Sequence, residues 1–161
     1  MTDDPDLPDA LAAAADSDPA AAADRLRDAD PETTKASADR LRSLADDDPT
    51  ALGSLQPAVE VLLTAEGRSV RLTATKAVAE FAATDPDPAA PLVPALTERL
   101  DDDFYYVRGR AAEALGHIAQ EDPDAIETAT VVARLLNALS LDRNEIRQYV
   151  AGALARVALG D

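Results

Sequence analysis

The stretch VRGRAAEALGHIA, residues 107–119, places Ala111, Ala112, Leu115, Ile118 and Ala119 at offsets of three and four. That spacing is the period of an α-helix, so the five side chains form one apolar stripe along one face. Such a stripe must be covered by another element. The rest of the chain supplies the covers by repeating the pattern.

Setting Val70-Arg71 on Val107-Arg108 brings Ala74 onto Ala111, Val78 onto Leu115, Phe81 onto Ile118 and Ala82 onto Ala119. Asp85-Pro86 then falls on Asp122-Pro123. A further shift of 37 residues upstream puts Thr33-Thr34, Leu41, Leu44, Ala45 and Asp48-Pro49 in the matching slots, and a shift of 39 downstream does the same for Ile146-Arg147, Leu154, Val157 and Ala158. Each copy has a preceding helix with its own register: Pro57 and Pro94 stand 14 residues before the Arg slot, and Leu63, Leu100 and Leu139 stand eight before it. Self-similarity at such a period is the mark of a repeat architecture.

Four helix pairs are therefore predicted. The first helices span 19–28, 52–65, 89–100 and 125–139, and the second helices span 32–45, 69–83, 105–119 and 145–159. Asp18-Pro19 is the expected N-terminal punctuation of a helix. Nothing alternates with the period of a strand. Residues 1–17, with the run Ala12 to Ala15, are expected to be an acidic leader or cap carrying a short helix. Residues 18–161 form the repeat domain, divided at 18–48, 49–85, 86–122 and 123–161.

The unit of Val-Arg, then AAEALG and IA, then an Asp-Pro stop resembles the HEAT repeat, particularly the short form of phycobilin lyase-like HEAT proteins. The first copy departs from it, with Thr34 in the Arg slot. The resemblance implies an all-α, right-handed α-solenoid of about four HEAT-like hairpins. It also implies that the apolar residue of the Val-Arg pair is buried, and that Arg71, Arg108 and Arg147 reach an acidic side chain or carbonyl between repeats. The second helices are implied to line the concave side.

Composition agrees with this reading. Alanine dominates a hydrophobic content of 47%, aromatics make up 3%, and there is no Trp. The net charge of -16 comes mostly from Asp, and the only lysines are Lys35 and Lys76. This profile resembles proteins of salt-accumulating halophiles, so the acidity is read as solubility at high ionic strength rather than partner choice. With no Cys, disulfides and thiolate chemistry are excluded. The N-terminal MTDDPDLPDA has neither a basic segment nor an apolar core, and no run is long enough to span a membrane, so a cytoplasmic protein is expected.

The positions that the stripe leaves outside are the candidates for function. Offsets two, five and nine from the Arg slot give Thr73, Lys76 and Glu80, then Arg110, Glu113 and His117, then Tyr149, Gly152 and Arg156. Lys76, Glu80, Arg110, Glu113, His117, Tyr149 and Arg156 form the candidate partner-binding groove. The predicted second helices, with Arg68, carry ten basic and five acidic residues, while the remainder carries five basic and 26 acidic ones. A neutral-to-basic wall on an acidic body suits an acidic partner surface.

Other residues point to structure. His117 is the only histidine, with no Cys to complete a zinc site and no nucleophile spaced against it. Asp46 to Asp48 and Asp101 to Asp103 lack the ligand spacing of a calcium loop and are expected to be helix punctuation and acidic surface. Phe104, Tyr105 and Tyr106 are expected as a staple within their repeat, with Tyr105 or Tyr106 at the groove edge as the alternative. Val131, Val132, Leu135, Leu136, Ala138 and Leu139 make the last first-helix apolar over more than one stripe, which fits either a homodimer or partner contact there or a wide core contact.

The expected function is a non-catalytic protein-protein interaction module, a scaffold or adaptor, with no cofactor and no metal. One rival is a subunit or relative of a phycobilin lyase-like enzyme, which the resemblance brings but no residue carries. The other is a nucleic-acid-binding HEAT-like protein, which the lack of Trp and of extended basic runs disfavours.

Overall fold

In the computed structural model the described residues are 1–14, 18–141 and 143–159. They form helices α1 (Leu7–Ala14), α2 (Pro19–Asp28), α3 (Pro31–Asp47), α4 (Leu52–Leu63), α5 (Arg68–Thr84), α6 (Val93–Arg99), α7 (Tyr105–Glu121), α8 (Thr128–Leu141) and α9 (Asn144–Leu159). Short 3₁₀ helices span Asp87–Leu92 and Pro123–Ala125. The hairpins α4–α5, α6–α7 and α8–α9 pack as three of the expected pairs, whereas α2 packs on α1 and α4 and α3 on α1 and α5, so the first expected pair is not a packed hairpin; together the helices make a helical repeat solenoid. No helix among the described residues is long and apolar enough to cross a membrane.

The punctuation works through the Asp-Pro pairs. Asp48, Asp85 and Asp122 each sit at the C-cap of a second helix, and their N–H groups donate to Leu44, Phe81 and Ile118 carbonyls, each at 2.8 Å. The proline that follows disfavours the helical region for the residue before it, and these three adopt extended φ values of -145°, -146° and -133°. At helix starts the carboxylates act the other way: Asp18 accepts from the Ala21 N–H, and Asp30 from the Glu32 and Thr33 N–H groups.

The third first-helix is not the single helix expected over 89–100. Pro91 and Pro94 lack the N–H that an α-helix would use, so the segment breaks into a 3₁₀ helix followed by the short α6. The fourth likewise starts late, because Ile126 is extended (φ -105°, ψ 126°) before α8 begins.

The helices form two layers. In one, α1, α3, α5, α7 and α9 stack in order; in the other, α2 packs on α4 and α4 on the segment leading into α6. The repeated stripe is the seam between them: Ala111, Ala112, Leu115, Ile118 and Ala119 are at most 1% exposed, as are Leu41, Ala74 and Val78. Thr33, Val70, Val107 and Ile146, which precede the Arg slot, are buried as well. In the fourth copy the match weakens, with Leu154 half-buried and Ala158 exposed. The first residues are tied to this core: Leu7 and Leu11 are fully buried, and Asp4 pairs with Arg25 at 2.8 Å.

Spacing within the layers differs between the third and fourth repeats. Gly116 lets α7 approach α9 so closely that an added Cβ would stand 2.9 Å from the Ala153 Cα. In the other layer α8 packs chiefly on α9 and leaves a cleft of about 530 Å³ against α6.

Candidate functional site

The Arg slot fills its structural role at Arg71. Its guanidinium is 10% exposed and donates to both Asp102 oxygens (2.8 and 3.1 Å), to Asp103, and to the Ala65 and Glu66 carbonyls (2.9 and 2.8 Å). Arg108 donates to the Asp102 carbonyl at 2.7 Å, while Arg147 is exposed. Burial works against the charge on Asp102, yet the hydrogen bonds from Arg71 and the Phe104 N–H outweigh it and hold the carboxyl below its usual range.

Asp101 and Asp103 are exposed as expected, but the reading of Asp102 as punctuation and surface alone is corrected. Asp102, 2% exposed in its side chain, is an inter-repeat tie that also accepts from Arg99 at 3.3 Å. Asp101 pairs with Arg134 of α8 at 2.6 Å. The loop therefore links the second, third and fourth repeats.

The candidate groove residues lie along the exposed side of α5, α7 and α9, and the structure divides them into three groups. Glu80 is engaged by Arg42 of α3, which donates to it at 3.0 and 3.2 Å. Lys76, Arg110 and Tyr149 come together in a cleft of about 410 Å³. Glu113, His117 and Arg156 continue the strip toward the ends of α7 and α9.

In the cleft, the Arg110 guanidinium lies 4.6 Å from the centre of the Tyr149 ring and donates to Glu113 at 2.6 Å. Lys76 makes no hydrogen bond or ion pair among the described residues. Its pKa is held below the usual lysine value by burial and by the neighbouring Arg110 and Arg42, with Glu80 acting against them. His117 is shifted the same way, by burial and then by Arg156, against Glu113. After burial, the net neighbour effect at both sites is therefore positive, although the chain carries -16 overall.

That local sign was legible as helix charge only in part. Because α3 and α7 run two residues past their expected ends, Asp46, Asp47 and Glu121 join the second helices, leaving ten basic against eight acidic residues there. The positive excess is local to Lys76, Arg110 and Arg156, all half-buried, whereas Arg42 at the end of the strip is balanced by Glu80, Asp46 and Asp39.

Three lining residues fall outside the offset rule: Tyr106, Ile146 and Gln148. Tyr106, 44% exposed, lines the cleft from within the aromatic cluster, while Tyr105 packs against the core beneath Arg143. The rings of Phe104, Tyr105 and Tyr106 touch one another, so the cluster is both staple and groove edge. The missing signal was the first turn of each second helix, which the offsets began counting too late.

In α8, Val131, Leu135 and Ala138 are buried, Val132 and Leu139 half-buried, and Leu136 is 52% exposed. Most of the surplus apolar surface is thus spent on the core. Among the described residues there is no group of three or more carboxylate, histidine or cysteine side chains arranged to hold a metal.

Residues 93–161 match the family model described as HEAT repeats. The match covers α6 to α9, which includes the 107–119 stretch and most of the cleft. No curated protein matches the chain. Two crystal structures of engineered proteins are similar over nearly all of it: one at 27% identity and TM-score 0.68, covering 93% of this chain and 62% of that one, the other at 30% and 0.66, covering 92% and 42%. A designed armadillo repeat protein in complex with the peptide (KR)4 shares the fold, at 23% identity and TM-score 0.69, covering 84% of this chain and 62% of that one. The chain thus spans less than two thirds of each of these proteins.

Proposed function

We propose that this chain is a non-catalytic interaction module that docks an acidic segment of a partner protein on its second-helix face, centred on Lys76, Arg110 and Tyr149. The observation that carries the reading is the unpaired, half-buried Lys76 beside Arg110 in a cleft, on a molecule that is otherwise strongly acidic. A lysine drawn out of water next to a second cation is short of counter-charge, and a partner carboxylate supplies it. The Tyr149 and Tyr106 rings offer rigid apolar contact area beside the charges. Solenoids present extended surfaces of this kind, suited to a segment rather than to a small substrate.

Fluorescence polarisation with labelled acidic, neutral and basic decapeptides tests the reading. The salt concentration should be fixed at one where circular dichroism shows the chain helical. Acidic peptides should bind best, and changing Arg110, Tyr149 and Arg156 together to Glu should weaken them by about tenfold or more, ~1.4 kcal/mol. An unchanged affinity in the triple variant removes the second-helix face as the site. Tighter binding of a DNA duplex than of any peptide would replace this function with nucleic-acid binding.

A further inference from the structure

We propose that the cleft between α6 and α8 is a second docking site, for a partner segment in which one or two aliphatic side chains are flanked by lysine or arginine. The cleft lies in the first-helix layer and shares no lining residue with the Lys76 site. Elsewhere in this layer α2 and α4 pack directly, burying Ala22, Leu26, Leu55 and Val59. Between α6 and α8 the packing is thin, held by Arg134 of α8 reaching the Thr97 carbonyl of α6 at 3.3 Å. The prolines that shorten α6 and the extended Ile126 that delays α8 leave an opening of about 530 Å³ instead.

The opening has an apolar floor at the buried Val93 and Val131, and its lining adds the half-buried Ala90 and Ala125 and the exposed Pro94. Water held against such a floor has few hydrogen-bonding partners, so an aliphatic side chain replaces it favourably. The rim sets the sign of the flanking charges. Arg134, the one cation lining the cleft, is committed to Asp101 at 2.6 Å and to the Thr97 carbonyl at 3.3 Å. Glu98 and Glu127 are both exposed, and Glu98 reaches only the edge of its neighbour Arg99, at 3.9 Å. The uncompensated charge at the rim is therefore negative. An apolar floor between acidic edges favours an aliphatic anchor with cations on either side.

Two docking faces of opposite sign would let one short solenoid bridge two partners, with the acidic segment of one on the second-helix face and the basic-flanked segment of the other on the first-helix face.

The probe is a fluorescein-labelled hexapeptide with two central leucines between pairs of lysines, compared with an all-lysine hexapeptide and with the leucine peptide flanked by glutamates. The leucine-lysine peptide should bind at least about tenfold more tightly than either control. Glu98→Lys with Glu127→Lys, two exposed positions, should abolish that advantage. Thr130→Tyr, which fills the opening without changing charge, should do the same, whereas Lys76→Glu should leave it unchanged. Equal binding of the all-lysine peptide, unmoved by Thr130→Tyr, would mean general attraction to an acidic protein and would overturn the proposal. So would no detectable binding of the leucine-lysine peptide, or a concentration-dependent dimer in light scattering that the Glu98→Lys/Glu127→Lys variant dissolves, since a second copy would then be the occupant.

Discussion

Removing the Asp102 carboxylate should destabilise this protein more than any change on its surface. Asp102→Ala deletes the two hydrogen bonds from Arg71, the contact from Arg99 and the acceptor for the Phe104 N–H at 2.9 Å. Arg71 is then left buried with its charge uncompensated except by Asp103, whose side chain is 81% exposed and whose hold is screened by water. Breaking a buried pair from one side costs about 3–5 kcal/mol, and the remaining Asp103 contact places the expected loss near the lower end, about 3 kcal/mol. For a chain of this length that lowers Tm by about 6–12 °C. Urea denaturation followed by circular dichroism measures it, and a double-mutant cycle separates the pair from its surroundings. Arg71→Met together with Asp102→Leu should cost clearly less than the two single changes summed, because the apolar pair leaves no buried charge, although the Ala65 and Glu66 carbonyls and the Phe104 N–H lose their partners. The sign with pH follows from the lowered folded pKa of Asp102. Its contribution is complete above the unfolded value, near 3.8, and is lost as pH falls from there through the folded pKa. The gap between the wild type and Asp102→Asn should therefore be full at neutral pH and shrink below about pH 4. Single variants that each cost under about 1 kcal/mol, or costs that simply add in the double variant, would refute the claim that this pair ties the repeats together.

Gly116→Val should cost about 1–3 kcal/mol, because its Cβ position is 2.9 Å from the Ala153 Cα, whereas Gly152→Ala, which meets only the Arg156 guanidinium at 3.6 Å, should gain about 0.5–1 kcal/mol from helix propensity. Urea midpoints that move the same way for both would show that close approach is not what Gly116 provides. For His117 the folded pKa is depressed by burial and then by Arg156, so its contribution to stability is lost as pH falls from 6.5 through the folded value. Arg156→Gln should move the His117 titration, followed by NMR, upward toward 6.5; no movement would mean that Arg156 does not act on the ring.

The sequence alone determined the repeat, its register and the apolar seam. Those follow from the 3.6-residue period and from Asp-Pro pairs, where the proline restricts the backbone of the residue before it, and both are local rules. Thus Leu41, Val78 and Leu115 fall in one slot and are all fully buried. The offsets also selected Lys76, Arg110 and Tyr149, which share a cleft, because residues on one helix face remain neighbours when repeats stack in register. What only the tertiary structure decided lies between the repeats. It paired Glu80 with Arg42 across 38 residues and turned Asp102 from apparent punctuation into the partner of Arg71. It drew α7 and α9 together at Gly116 while α6 and α8 stood apart. Charge pairing and layer spacing depend on distances between side chains far apart in the chain. Periodicity fixes which face a residue occupies, and only packing fixes what stands opposite it.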